Sequence, residues 1–215
     1  MKKNNTPIIQ KARNNDIEVE DILQLVKTGN KETLHILKEL NLILCEGEKR
    51  SDEVPFDKWI FIVATYFEYG ISRMVYLAKD GMEYSGFAIS VLEELKTYDA
   101  FIGIIKVLES CVLSDIQDYK VALKCLAALN LMISFDDEIN YKPQDEALLR
   151  SLIHHFLNFC KEKKACEEDI VVAYCAVRKV GDASTITLIK SMPSLVLEEY
   201  SGLDKTVMNK IKKRL

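Results

Sequence analysis

Turn-forming residues are scarce in this chain, with 4 prolines and 8 glycines in 215 residues. Strand-and-turn architectures need such residues every eight to twelve positions or so, and that scarcity argues against them. No apolar run approaches the roughly 20 residues that span a bilayer. The N-terminal stretch MKKNNTPIIQ has lysines but no apolar core after them, unlike a secretory leader. There is no CxxC, and no Cys/His set has zinc-finger spacing. The 6 cysteines, Cys45, Cys111, Cys125, Cys160, Cys166 and Cys175, lie in or beside apolar helical segments. They read as buried free thiols in a reducing compartment, and the expected location is the cytoplasm. Signatures of catalysis are lacking as well: no GxSxG, HExxH, Rossmann fingerprint or phosphate-cradling glycine loop occurs. With 3 histidines and no ordered Cys/His pair, nucleophilic chemistry has little to build on. The chain is expected to be non-enzymatic and to need no metal or organic cofactor.

What is abundant is apolar spacing at helical period. Hydrophobic residues make up 48% and charged residues 29%, ordinary for a folded protein. Residues 1–15 show no clear periodicity and read as a disordered tail. Residues 16–50 read as a helical hairpin: Ile17, Ile22, Leu25 and Val26 form one stripe that stops at Gly29, and Leu34, Leu37, Leu40 and Leu44 form the next. The charged stretch EGEKRSDEV (46–54) is the candidate internal boundary. From residue 55 to 192 helices follow in pairs. The expected pairs are 56–69 with 71–79, 84–96 with 99–113, 117–134 with 145–163, and 167–180 with 182–192. A capping helix at 195–215 closes the chain. VALKCLAALNLMI (121–133) is apolar almost all round and must be covered on several sides.

The stretch AYCAVRKVGDASTITLIKSM (173–192) carries a specific pattern. Small and aliphatic residues (Ala176, Val177) end one helix, Gly181-Asp182 makes the junction, and Ile186, Leu188 and Ile189 line the next. Gly70, Asp99 and Gly181 are spaced by 29 and then 82 residues, and 82 is twice 41. That interval falls within the repeat length of helical arrays of the HEAT and armadillo kind. The 173–192 stretch resembles a HEAT repeat. The resemblance implies an all-α fold, an α-solenoid-like array of antiparallel helix pairs with a concave face formed by the second helices. It implies no activity of its own. One enzyme class built on such arrays is the alkylpurine DNA glycosylases, which rely on a basic groove, aromatic residues and an acidic catalytic group. Here Trp59 sits in an apolar run and the middle of the chain is acidic, so this is the alternative reading.

Charge points to the kind of partner. From Ser51 to Cys160, 9 Lys/Arg stand against 17 Asp/Glu; from Lys161 to Leu215 the balance is 11 against 8. An acidic middle disfavours nucleic acid and favours a basic protein. The expected function is a protein-binding scaffold or adaptor, in its concrete form an immunity-type protein that neutralises a basic toxin. The candidate contact residues are Asp136, Asp137 and Glu138, in the long charged loop FDDEINYKP, together with Ser151, His154 and Asn158, which share one polar stripe of a helix. His155 falls in line with Leu148, Leu152 and Phe159 and is expected in the core. Glu167, Glu168 and Asp169 open a helix, where carboxylates favour the positive end of the dipole.

Overall fold

The computed structural model describes residues 7–30, 32–45, 54–80, 83–135 and 139–215. Among the described residues there are eleven α-helices, one short 3-10 turn and no strand. The chain divides into two compact units, residues 1–95 and 96–215. The candidate boundary at 46–54 lies almost entirely outside the described residues, and the division falls later, between two helices.

The first unit holds α1 (Pro7–Arg13), α2 (Val19–Thr28), α3 (Thr33–Cys45), α4 (Phe56–Lys79) and α5 (Ser85–Leu95). Helix α1 corrects the expectation of a tail for Pro7–Arg13, while residues 1–6 of that expectation lie outside the described residues. Ile9 and Ala12 lie one turn apart and are buried, and α1 packs on α3. A helix this short has little stability alone, so its ordering comes from tertiary burial rather than from propensity. Arg13 also pairs with Glu39 of α3 at 2.9 Å, and Lys11 with Asp21 of α2 at 2.7 Å. Helix α2 opens on a capping box, in which the Asp21 carboxylate accepts from the Glu18 amide at 3.0 Å. It ends at Gly29, where a Cβ would collide with the Phe67 ring of α4. Helices α2 and α3 do not form a free-standing hairpin. Each packs on α4, and α2 also packs on α5.

Within α4 the helix breaks at Gly70, whose φ of 72° and ψ of −168° are accessible essentially to glycine alone. The expected end of one helix at residue 69 and restart at 71 is what the backbone does. Lys96, in the left-handed region (φ 49°), follows α5.

The second unit holds α6 (Tyr98–Ser110), α7 (Ile116–Phe135), α8 (Pro143–Lys163), α9 (Glu167–Val177), α10 (Ala183–Ser191) and α11 (Leu203–Lys212). Thr97 caps α6, its hydroxyl accepting from the Ala100 amide at 3.3 Å. Helix α6 packs on α7 and α8, α7 and α8 each pack on α9, and α11 packs on both α9 and α10. The expected pairings are not the ones adopted: 84–96 and 99–113 fall in different units, α7 packs on α6 and α9 more than on α8, and α9 packs on α7, α8 and α11 more than on α10. Helix α5 belongs to the first unit, and α6 takes α7 as its neighbour. Helix α7 buries Ala122, Cys125, Leu126, Ala128, Leu129 and Met132. Cover from α6 on one side and α9 on the other explains its nearly all-round apolar sequence.

Candidate functional site

Asp136, Asp137 and Glu138 lie outside the described residues. Ser151 and Asn158 are exposed on α8, as their polar stripe suggests, and His154 sits between them half-buried. That face of α8 is partly occupied by α10. His154 Nε2 lies 2.7 Å from the Thr185 hydroxyl, and Lys161 donates to the Ser191 hydroxyl at 3.0 Å. Burial pushes the His154 imidazole below its ordinary pKa, so it is neutral at pH 7. It is committed to an internal contact. His155 is exposed, which corrects its expected place in the core. The buried stripe of α8 is Leu149, Ile153, Phe156, Leu157 and Cys160, one position away from 148–152–155–159. Leu148 is left 39% exposed.

The Gly181-Asp182 junction is a structural device. A Cβ at Gly181 would stand 2.6 Å from Ile211 Cδ1 of α11 and 3.0 Å from the Val177 carbonyl oxygen. Glycine is there because α11 approaches the backbone closely. Asp182 caps α10: its carboxylate accepts from the Thr185 amide at 3.1 Å and from the Ser184 hydroxyl at 2.6 Å. Arg150 of α8 pairs with the same carboxylate at 3.0 Å and donates to the Val180 carbonyl at 2.8 Å. The Ser184 hydroxyl, the Thr185 amide and the Arg150 guanidinium together hold the Asp182 carboxyl down at about 2, against the opposing effect of partial burial.

Two buried thiols and one phenol on α7 and α8 are held protonated. Burial pushes the Cys160 thiol up to about 11 and raises that of Cys125 well above the ordinary range, so neither offers a thiolate at neutral pH. Tyr119 stacks on Phe156 at 5.4 Å and donates to Asp169 at 2.7 Å, and burial raises its pKa. Asp169 thus has a tertiary role beyond the helix dipole. So does Glu167, whose carboxylate accepts from the Val196 and Leu197 amides at 2.9 to 3.0 Å. Among the described residues no group of three or more His, Cys, Asp and Glu is placed to hold a metal ion, and no helix is long and apolar enough to cross a membrane.

The feature with the character of a binding site lies on the first unit, and the sequence reading missed it. A groove of about 560 Å³ runs between α3 and the first half of α4. From α3 it is lined by Leu34, Leu37, Lys38, Asn41 and Leu42, and from α4 by Asp57, Ile60, Phe61, Ala64 and Glu68. Both sets follow helical spacing, so two stripes face each other across the groove. Leu42 is 55% exposed and Phe61 49%, high values for side chains of this size beside a core. A signal was available in the run Trp59–Ala64. Six consecutive apolar residues cannot all face one core on a helix, so some must point elsewhere. Ile60, Ile62 and Val63 are buried, Trp59 and Ala64 are half-buried, and Phe61 is the exposed one, with its ring 5.0 Å from that of Tyr84. Trp59 packs edge-on against Phe87 at 4.7 Å.

No family model, curated protein or solved structure matches the chain.

Proposed function

We propose that the chain is a non-enzymatic protein-binding module, and that the α3–α4 groove receives an amphipathic helix of a basic partner protein. The observation that carries the reading is the pair of facing helical stripes with exposed Phe61 and Leu42 between them. Helix-in-groove recognition uses such a surface, with apolar anchors repeating at i, i+3, i+4 and i+7. Polarity of the rim favours a basic occupant: Asp57 and Glu68 stand against Lys38, and residues 1–95 carry 16 Asp/Glu against 12 Lys/Arg. The segment between α3 and α4, EGEKRSDE (46–53), has no apolar side chain to offer to the groove. An immunity-type role, the neutralising of a basic toxin, is one use of such a surface.

The packing of α6 to α11 supports a helical-array reading of the second unit in which Gly181-Asp182 joins two successive pairs instead of the two helices of one repeat. Helices α6, α8 and α10 follow one another, as do α7, α9 and α11, with pairs formed by α6 and α7, α8 and α9, and α10 and α11. Backbone proximity links α6 to α8, α7 to α9 and α9 to α11, and the side-chain contacts of Arg150, His154 and Lys161 link α8 to the α10 segment. In that arrangement the repeats begin at α6.

The test uses a synthetic amphipathic peptide of leucine and lysine, with binding followed by fluorescence anisotropy, and the variant Phe61→Asp. Groove docking predicts at least tenfold weaker binding to the variant, since a buried aromatic anchor contributes about 1.4 kcal/mol or more. Mere attraction of a cationic peptide to an acidic protein predicts the opposite sign, because the variant is more acidic. Equal or tighter binding to Phe61→Asp, with an unchanged circular dichroism spectrum, rejects the groove.

A further inference from the structure

A second cavity, of about 410 Å³, lies wholly within the second unit and has the opposite character. It is lined by Ser134 of the last turn of α7, Arg178 and Lys179 just beyond α9, Lys210 of α11, and Arg214. Four of these five residues are cations and none is a carboxylate. Arg178 is half-buried and oriented by donating to the Ser134 hydroxyl at 2.8 Å. Arg214 is paired with Glu146 at 2.8 Å. Basic residues near helix C-termini are stabilised by the helix dipole, which accounts for each cation taken alone. It does not account for four of them around one cavity. The C-terminal ends of α7, α9 and α11 contribute roughly half a negative charge each, and Glu146 one more, which leaves about one and a half positive charges uncompensated among the described residues.

We propose that this cavity binds the phosphate of a small phosphate monoester. A phosphate monoester carries roughly −1.5 to −2 at neutral pH, which matches that excess. The planar fork of Arg178 suits contact with phosphate oxygens, while Lys179 and Lys210 act as point charges; Ser134, which donates to the Asn130 side chain at 3.1 Å, orients Arg178. The volume lies within the range of small-molecule sites and leaves room beyond the phosphate for a short carbon skeleton.

The probe is glycerol 3-phosphate, titrated into the full chain by calorimetry at constant ionic strength, with glycerol and chloride as controls. Saturable one-to-one binding of glycerol 3-phosphate, with none for glycerol, is the expected result. The double variant Lys179→Gln, Lys210→Gln removes two cations that make no ion pair among the described residues, so its fold should persist. It should bind at least tenfold more weakly, whereas Phe61→Asp should bind as the parent does. No saturable binding, or unchanged affinity in the folded double variant, overturns the proposal. So does binding that appears only after Asp136→Asn, Asp137→Asn and Glu138→Gln are introduced together, since the chain's own carboxylates would then be neutralising these cations.

Discussion

Replacing Asp182 by alanine tests the account of the second unit at its most connected point. The substitution removes the cap of α10, for which losses of about 1 kcal/mol are usual. It also removes the partner of Arg150, whose pair with Asp182 is partly exposed, at 23% and 35%. A pair in that setting contributes no more than about 0.5–1 kcal/mol. The carboxyl offers an independent estimate. Its fall from an ordinary 3.8 to about 2 would correspond to about 2.5 kcal/mol without screening, and to between 1 and 2 kcal/mol with it. Both routes place the loss for Asp182→Ala near 1.5–2 kcal/mol, measurable by urea unfolding at pH 7. The sign with pH follows from the depressed value: the contribution is fully present above pH 4 and is lost as pH falls through about 2. Parent and variant should therefore differ at pH 7 and converge towards pH 2. Asp182→Asn keeps the cap acceptor and should recover about half of the loss. A loss under about 0.5 kcal/mol at pH 7, or a gap that does not narrow in acid, refutes the capping and pairing roles given to this carboxylate.

Three further outcomes follow from the packing. Gly181→Ala puts a methyl 2.6 Å from fully buried Ile211 and should lower stability by about 1–3 kcal/mol in chemical denaturation, with Ile211→Val in the same chain relieving part of it. Gly70→Ala meets no atom within 4 Å, so its cost is backbone strain alone, about 1–3 kcal/mol; an unchanged melting temperature would show that the break in α4 is not held as described. Among the described cysteines, exposed Cys166 should react first with a thiol reagent, and Cys125 and Cys160 should react only on unfolding, as followed by mass spectrometry of the labelled peptides.

Backbone-controlled features were the ones legible in the sequence. Gly70 breaks a helix because its φ is positive, and Gly181-Asp182 joins two helices because one residue must be small and the next must cap. These requirements act within a few residues, so the local sequence carries them. The phase of α8 was not legible. Leu148, Leu152 and Phe159 form as good a stripe as Leu149, Ile153, Phe156 and Cys160, and the choice between them depends on where α6 and α9 lie. Residues Pro7–Arg13 escaped for the same reason: two buried side chains order a helix only when α3 supplies the surface. His154 looked free because its partner, Thr185, is 31 positions away.

Charge changes meaning when it is grouped by structure instead of by stretch of sequence. The acidic span from 51 to 160 crosses the division at 95 and 96, so its balance describes neither unit. Regrouped, residues 1–95 hold 12 Lys/Arg against 16 Asp/Glu, and residues 96–215 hold 17 against 17. The acidic excess belongs to the unit with the apolar groove, and under the proposed docking it would steer a basic helix before the apolar anchors engage. In the second unit the charges balance in number but are not evenly mixed, because Arg178, Lys179, Lys210 and Arg214 gather at one cavity. A net charge of zero therefore does not exclude an anion site there. What matters for a small ligand is the field within the cavity, and that is set by the residues lining it.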